Sequence, residues 1–285
     1  MTSEQTAIEL PDTPAEDLPD EILAKEFQIA MDTHQLSLYY QPIIHLKSGL
    51  VAGFETLMRW NHPNRGFISP GVFIPMAERT GLIVEASRWA LKEAIRALKR
   101  LESHVGHNEH IYMSVNFSPN DLADESFLDE MYNVISASDV RPTQVQLEIT
   151  GDLLKNQREN SKTILGICRK TGLKIAVDDF GLGDPSVFMK YMDDFPISTV
   201  KIDHLVTRDL LKIPEAKQLV SMIIEEAKKR DIIIIAEGVE QKDEALLLRE
   251  IGCRYGQGYY FTKPLPEREL TTLLLQISAF NESLK

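Results

Sequence analysis

Hydrophobic and polar positions alternate between helix and strand periodicity along most of the chain. Near the start, Leu23, Phe27 and Ala30 are spaced to lie on one face of a helix. Residues 36–44 and 51–60 then have the apolar and aromatic composition of strands, and a short glycine-containing turn separates them. Two strands joined by such a turn predict an antiparallel hairpin at the beginning of the fold.

From residue 84 onward, segments with helix and strand periodicity follow one another regularly. This rhythm indicates βα units, in which neighbouring strands run parallel. The predicted helices cover residues 84–103, 125–138, 155–171, 186–193, 214–230, 241–250 and 266–279. The predicted strands after the hairpin cover residues 111–117, 144–150, 173–178, 199–202, 232–237 and 256–261.

Eight predicted strands, joined mostly by helices, define the expected fold. A (β/α)8 barrel needs about 250 residues, so this chain fits a closed barrel better than an open doubly wound sheet. We therefore predict an α/β fold, a TIM-like (β/α)8 barrel with an antiparallel first strand. Residues 1–20 are acidic, rich in Pro and Thr and without periodicity, which predicts a disordered leader or the remnant of a linker. The barrel domain is expected over residues 21–285.

Polar side chains occur where the predicted strands end. In a (β/α)8 barrel these carboxyl ends meet at one mouth, where the chemistry takes place. The adjacent Asp178 and Asp179 are costly to bury without a cation, although such a pair is also common as a helix N-cap. Six carboxylates, two amides and a lysine at successive strand ends favour a divalent-metal site. They are Glu55, Asn116, Glu148, Asp178, Asp179, Lys201, Glu237, Glu240 and Gln257, with Arg59 also on the second strand.

Composition and charge exclude several classes of protein. The 285 residues are 43% hydrophobic and include 31 basic against 43 acidic side chains, a net charge of −12. This charge disfavours a DNA or RNA duplex as partner, because such binding depends on basic surfaces. No apolar run approaches the roughly 20 residues that span a bilayer. Cys168 and Cys253 are far apart in the chain, which indicates reduced thiols and a cytoplasmic location.

Ten short motifs, in order and at barrel spacing, resemble those of the EAL-domain phosphodiesterases that act on cyclic di-GMP. The resemblance covers about residues 22–280 and implies hydrolysis of cyclic di-GMP to linear pGpG. The motifs are Tyr40-Gln-Pro-Ile43, Glu55-Thr-Leu-Met-Arg-Trp60, Phe73-Ile-Pro-Met-Ala-Glu78, Val115-Asn-Phe-Ser118, Leu147-Glu-Ile-Thr150, Asp178-Asp-Phe-Gly181, Val200-Lys-Ile-Asp203, Ala236-Glu-Gly-Val-Glu240, Gly256-Gln-Gly-Tyr-Tyr-Phe261 and Lys263-Pro-Leu-Pro266.

The resemblance also implies residue roles, with Mg²⁺ or Mn²⁺ as the ions that suit hard oxygen ligands. Lys201, Glu55 and Glu237 would be catalytic, with Lys201 orienting the attacking water. The implied metal ligands are Glu55, Asn116, Glu148, Asp178, Asp179, Glu237 and Glu240. The implied nucleotide contacts are Gln41, Leu57, Arg59, Asn116, Asp179, Gln257, Tyr260 and Pro264. Ordinary barrel packing remains an alternative for Gln41, Leu57 and Tyr260.

Two departures from the family pattern leave the function open. Gly151 stands where active members have a second glutamate, and residues 182–186 read Leu-Gly-Asp-Pro-Ser in place of a more flexible, hydroxyl-bearing loop. Both changes affect the support of Asp179 and therefore the second metal site. The alternatives are a slow or regulated phosphodiesterase and a cyclic di-GMP receptor with little or no catalysis. The resemblance also allows a homodimer and, for a receptor, a protein partner.

Overall fold

The computed structural model describes residues 14–103, 111–156 and 158–274. By its internal contacts the chain divides into two compact units, Met1–Ser37 with Arg59–Leu82 and Leu38–Met58 with Ile83–Lys285. We call the first the small unit and the second the barrel unit. The described residues form ten strands: β1 (Leu36–His45), β2 (Val51–His62), β3 (Gly66–Ile68), β4 (Tyr112–Asn116), β5 (Val145–Thr150), β6 (Lys174–Phe180), β7 (Thr199–Ile202), β8 (Ile233–Ala236), β9 (Tyr255–Gly256) and β10 (Leu265–Pro266).

The predicted helices are present in the expected order, and the chain has further helices that were not predicted, among them the one at residues 70–80. Together they are α1 (Asp20–Asp32), α2 (Pro70–Thr80), α3 (Ile83–Glu102), α4 (Pro119–Ala123), α5 (Glu125–Ala137), α6 (Gly151–Asn156), α7 (Arg158–Lys170), α8 (Pro185–Asp194), α9 (His204–Asp209), α10 (Pro214–Lys229) and α11 (Lys242–Glu250). Residues 267–274 are helical as well. None of the helices in the described ranges combines the length and the apolar composition that crossing a bilayer requires.

The small unit is held together by an aromatic cluster. Phe27 of α1 packs edge-on against Trp60 and stacks on Phe73 of α2, with ring centroids 5.2 and 5.5 Å apart. Beside these rings the buried Glu26 carboxylate accepts a hydrogen bond of 3.0 Å from Arg65 Nε. The predicted apolar face of the first helix is therefore confirmed, and Phe27 is its central residue.

The barrel unit contains a closed ring of eight strands. Strands β2, β4, β5, β6, β7, β8 and β9 pair in parallel in that order. Strand β1 pairs with both β9 and β2 and closes the ring, and its pairing with β9 is antiparallel. The predicted α/β barrel with an antiparallel first strand is confirmed.

Side chains in the barrel interior follow the two-residue period of a strand. Glu148 and Lys201 point inward at the carboxyl ends of β5 and β7, and two residues earlier on the same strands Gln146 and Thr199 form a second inward layer. Tyr112, two residues before Ser114 on β4, packs with Ile43 and Ile235. The main hydrophobic core lies between the outer faces of the strands and the helices.

The predicted length of the last strand was wrong. Residues 256–261 were expected to be extended, but β9 ends at Gly256 and the chain then turns. The cause is a backbone contact, since a Cβ on Gly258 would lie 2.2 Å from the carbonyl oxygen of Val239. Only glycine permits this approach, because any other residue carries a Cβ atom at this position.

Two helix boundaries also differ from the prediction. The helix expected over residues 155–171 begins earlier, because α6 starts at Gly151, directly after β5, and α7 follows it. The short helices α4 and α9 were not predicted, since each is too short to show a hydrophobic period. The helix expected at 266–279 is present over 267–274, and residues 275–279 lie outside the described part of the chain.

Candidate active site

Lys201 is the centre of a charged cluster at the carboxyl ends of the barrel strands. Its side chain is 0% exposed. The ammonium nitrogen lies 3.0 Å from Glu55 Oε2 and 2.6 Å from Glu237 Oε1. It also contacts Glu148 Oε1 and lies 3.7 Å from Asp178 Oδ1. Four strands thus bring four of the predicted carboxylates to one lysine.

The electrostatic balance of this cluster is negative. Burial raises the pKa of Glu148 well above its usual range, and the neighbouring charge of Glu55 adds to this effect. Burial likewise raises the pKa of Glu237 to about 8, although Lys201 opposes the rise. For Lys201, burial lowers the pKa, but the surrounding carboxylates outweigh it and hold the pKa well above the ordinary value. One ammonium therefore stabilises the cluster without neutralising it.

The donor set fits a divalent cation. One oxygen each from Glu55, Glu148 and Glu237 lie within 4.8 Å of one another. Two further buried oxygens, Asp178 Oδ1 and Gln257 Oε1, have no hydrogen-bond partner among the described residues. Buried polar atoms are ordinarily paired, so these oxygens are available to a ligand. Hard carboxylate and amide oxygens are the ligands that Mg²⁺ and Mn²⁺ prefer.

The two adjacent aspartates diverge. Asp178 faces the cluster, whereas Asp179 is exposed and has a φ of +55°, next to an irregularity in the pairing of β6 with β7. Partial desolvation of its carboxyl group and the charges of Asp178 and Asp203 raise the pKa of Asp179. The helix-cap alternative does not apply to this pair, because Asp184 caps α8 through a 2.9 Å bond from Ser186 N. The role of Asp179 at a second ion stays a prediction.

Amide side chains orient Glu55. Asn116 Nδ2 donates to Glu55 Oε1 over 3.4 Å, and Gln257 Nε2 donates to Glu55 Oε2 over 2.6 Å. The same Gln257 amide donates to Gln41 Oε1 over 3.0 Å. Residues from the first and last strands of the barrel thereby meet at Glu55, as the sequence motifs predicted for one mouth.

A cavity of about 360 Å³ opens above the cluster. Several residues lining it were not predicted, namely His204, Gly238, Gly258 and Tyr259. In the sequence, each of these four residues lies within one of the motifs named above or directly after one, and this position is the signal that could have indicated them. The remaining lining residues are Gln41, Glu55, Asp178, Glu237, Glu240 and Gln257, all predicted.

Six predicted nucleotide contacts are not among the residues that line this cavity, namely Leu57, Arg59, Asn116, Asp179, Tyr260 and Pro264. Leu57, Tyr260 and Pro264 belong to the barrel unit, and Tyr260 is exposed with its ring against Phe261. Arg59 belongs to the small unit. Of the two adjacent tyrosines, Tyr259 and not Tyr260 lines the cavity. The contacts predicted for these six residues stay predictions.

The fold and the cluster together define a TIM-like barrel with a candidate divalent-metal centre at the carboxyl ends of its strands. The chain belongs to the EAL domain family, whose model matches residues 24–264. The predicted family is thereby confirmed.

Named relatives and solved structures agree with this membership. The chain is 37% identical over 232 residues to cyclic di-GMP phosphodiesterase PA2567 of Pseudomonas aeruginosa, which covers 81% of this chain and 39% of that protein. It is 33% identical over 257 residues to the probable cyclic di-GMP phosphodiesterase PdeG of Escherichia coli, covering 90% of this chain and 49% of that protein. The chain thus spans less than half the length of these two curated relatives.

Two solved structures of EAL proteins superimpose closely. The EAL enzyme Bd1971, in its form bound to cAMP and cyclic di-GMP, has a TM-score of 0.83 at 31% identity, covering 90% of this chain and 69% of that one. The PaMucR phosphodiesterase in complex with cyclic di-GMP has a TM-score of 0.80 at 33% identity, covering 87% and 99%.

Proposed function

We propose that this chain is a metal-dependent phosphodiesterase that hydrolyses cyclic di-GMP to linear pGpG. The observation that carries the proposal is the buried cluster of Glu55, Glu148, Asp178 and Glu237 around Lys201, beneath an open cavity. The names of the relatives support the substrate, because PA2567 and PdeG are described as cyclic di-GMP phosphodiesterases.

The residues of the cluster would have different roles in this reaction. Glu55, Glu148, Asp178 and Glu237 would hold one Mg²⁺ or Mn²⁺ ion, with Asn116 at its edge and Asp179 and Glu240 toward a second. The bound ions would supply an activated water and neutralise charge on the phosphate. Lys201 orients the four carboxylates, since its ammonium lies 3.7 Å or less from an oxygen of each.

The nucleotide would enter through the cavity mouth. Gln41 and Gln257 are held there by their mutual hydrogen bond. We extend the substrate contacts to Leu57, Arg59, Tyr260 and Pro264 on the strength of the motif resemblance. A guanidinium suits a phosphate, whereas apolar and aromatic groups suit a guanine face.

A receptor without useful turnover is the second candidate function, and one observation favours it. Asp179 lies outside the lysine cluster, and the loop that follows it has exchanged a hydroxyl for Leu182, which is 44% exposed. Gly151 offers no carboxylate to support this loop. A second ion would then be held weakly, while the cavity would still accept the nucleotide.

The decisive experiment separates turnover from binding. Purified protein is incubated with cyclic di-GMP and Mg²⁺ or Mn²⁺, and pGpG is measured by chromatography. Binding is measured in parallel by calorimetry with Ca²⁺. We expect pGpG from the wild type and from Glu226→Ala, which removes a carboxylate on the surface of α10. We expect none from Glu55→Ala.

Each alternative has its own outcome in this experiment. Tight binding without product at high protein concentration would replace the enzyme by the receptor. Equal product from Glu55→Ala and the wild type would remove Glu55 from the site. Absence of both binding and product would overturn both functions.

We also propose a domain division and a cellular setting. Residues 21–285 would form the EAL barrel domain after an acidic leader of residues 1–20. Cys168 and Cys253 are buried and unpaired, which supports a cytoplasmic location. A homodimer and, for a receptor, a protein partner are further proposals, testable by light scattering of the purified chain.

A further inference from the structure

A chain of buried hydrogen bonds leads from the second interior layer of the barrel to Glu148. Thr199 Oγ1 of β7 donates to Gln146 Oε1 of β5 over 2.9 Å. Gln146 Nε2 donates to Ser114 Oγ of β4 over 3.1 Å, and Ser114 Oγ donates to Glu148 Oε2 over 2.6 Å. All three donors are at most 1% exposed, so water does not replace these bonds.

The donor and the acceptor in each of these hydrogen bonds follow from the last acceptor, the carboxylate of Glu148. A carboxylate that binds a metal ion is deprotonated and only accepts hydrogen bonds, so in the metal-bound site the Ser114 hydroxyl donates to Glu148. The Ser114 oxygen is then left as an acceptor, and only the amide nitrogen of Gln146 can donate to it. This orientation turns the amide oxygen of Gln146 toward Thr199, whose hydroxyl donates in turn. A single arrangement therefore satisfies every group.

Both carboxylate oxygens of Glu148 have a partner in this arrangement. Oε1 contacts the Lys201 ammonium and Oε2 accepts from Ser114. The carboxylate plane is thereby set before any ligand arrives. Each oxygen of a carboxylate can accept more than one contact, so this engagement does not block a metal ion.

We propose that Ser114, Gln146 and Thr199 are positioning residues that orient Glu148 for the divalent ion and set the affinity of the site. This inference rests on the proposed metal-dependent function. None of the three residues would touch the ion or the substrate. Hydrogen-bond partners of metal ligands typically change metal affinity about 10- to 100-fold when they are removed.

A matched control is available on the neighbouring strand. Thr56 Oγ1 is also buried and donates over 2.9 Å to the backbone carbonyl of Ser114. Its hydroxyl belongs to the same region of the barrel but does not reach Glu148. Thr56→Val therefore removes a buried hydroxyl of the same kind without altering the donors of the carboxylate.

The test measures Mn²⁺ binding, by calorimetry and by the loss of the free-ion signal in electron paramagnetic resonance. We expect Ser114→Ala to bind Mn²⁺ about 10- to 100-fold more weakly than the wild type. Ser114→Thr, which keeps the hydroxyl, should recover most of this affinity, and Thr56→Val should match the wild type. Circular dichroism confirms that each variant is folded.

The outcomes are distinct. Equal Mn²⁺ affinity in Ser114→Ala and Thr56→Val would overturn the positioning role and leave the proposed function intact. Absence of Mn²⁺ binding in the wild type would overturn the proposed function and this inference with it. If Ser114→Ala does not fold, the near-isosteric Thr199→Val takes its place. We expect it to weaken Mn²⁺ binding severalfold, and an unchanged affinity would overturn the proposal.

Discussion

Replacing Lys201 by Met tests whether the ammonium holds the metal-free site together. The side chain is fully buried, and methionine has a similar volume, so little packing is lost. What is lost is the only cation in contact with Glu55, Glu148 and Glu237 among the described residues. Removing one partner of a buried ion pair costs about 3–5 kcal/mol. This is a large part of a typical total stability of about 5–15 kcal/mol.

The stability that Lys201→Met loses should increase as the pH rises. Burial already gives Glu148 and Glu237 a raised pKa in the folded protein, to about 8 for Glu237. The folded state therefore binds more protons than the unfolded state between the ordinary glutamate pKa and about 8, and stability falls as pH rises through that range. Without Lys201 these pKa values rise further. The difference between Lys201→Met and the wild type should accordingly be larger at pH 8 than at pH 5.5.

Chemical denaturation in EDTA at these two pH values measures the effect. Lys174→Met is the matched control, because Lys174 is a partly buried barrel lysine that lies 4.4 Å from the Tyr112 ring centroid. We expect the control to lose about 1 kcal/mol or less. Added Mn²⁺ should stabilise both variants, because both keep the proposed ligands, and it should narrow the difference in stability between Lys201→Met and the wild type. A Lys201→Met protein as stable as the wild type in EDTA at pH 8 would refute the reasoning.

Three further predictions concern the metal and two glycines. Chelation by EDTA should stop pGpG formation, and Mn²⁺ should restore it; product formation that persists in EDTA would contradict a metal-dependent reaction. Gly258→Ala should lower the free energy of unfolding by about 2–3 kcal/mol, because the new Cβ would lie 2.2 Å from Val239 O, and a denaturation curve equal to that of the wild type would disprove this steric account. Gly151→Glu should fold with a stability change within about 0.5 kcal/mol, since the nearest atom to the new Cβ is Tyr191 Cε2 at 3.8 Å. Its initial rate of pGpG formation should exceed that of the wild type, and an unchanged rate would show that Gly151 does not limit turnover.

Much of the fold could be predicted because it depends on local periodicity. Strand β7 was predicted at its observed bounds, and most other elements within two residues, since each alternates or repeats clearly. The last strand could not be predicted in this way. Its end at Gly256 depends on the contact of Gly258 with Val239, two residues whose approach no pattern in the chain records.

The predicted site shows the same division. Glu55, Glu148 and Glu237 could be placed at one mouth because strands of a barrel present their carboxyl ends together. His204 and Tyr259 were missed, because lining a cavity depends on how the loops cross the barrel mouth. Asp179 was predicted as a ligand of a second ion; it is exposed with a φ of +55°, and its role stays a prediction.

The sequence by itself determined the class of fold and the acidic character of the mouth, since both follow from the order of residues along single strands. Only the tertiary structure decided which side chains are joined by hydrogen bonds and which carboxylates contact the same cation. Lys201 meets carboxylates from four strands, and the Ser114, Gln146 and Thr199 chain joins residues 32 and 53 positions apart. These contacts depend on the register between strands, which a barrel sets only when it closes.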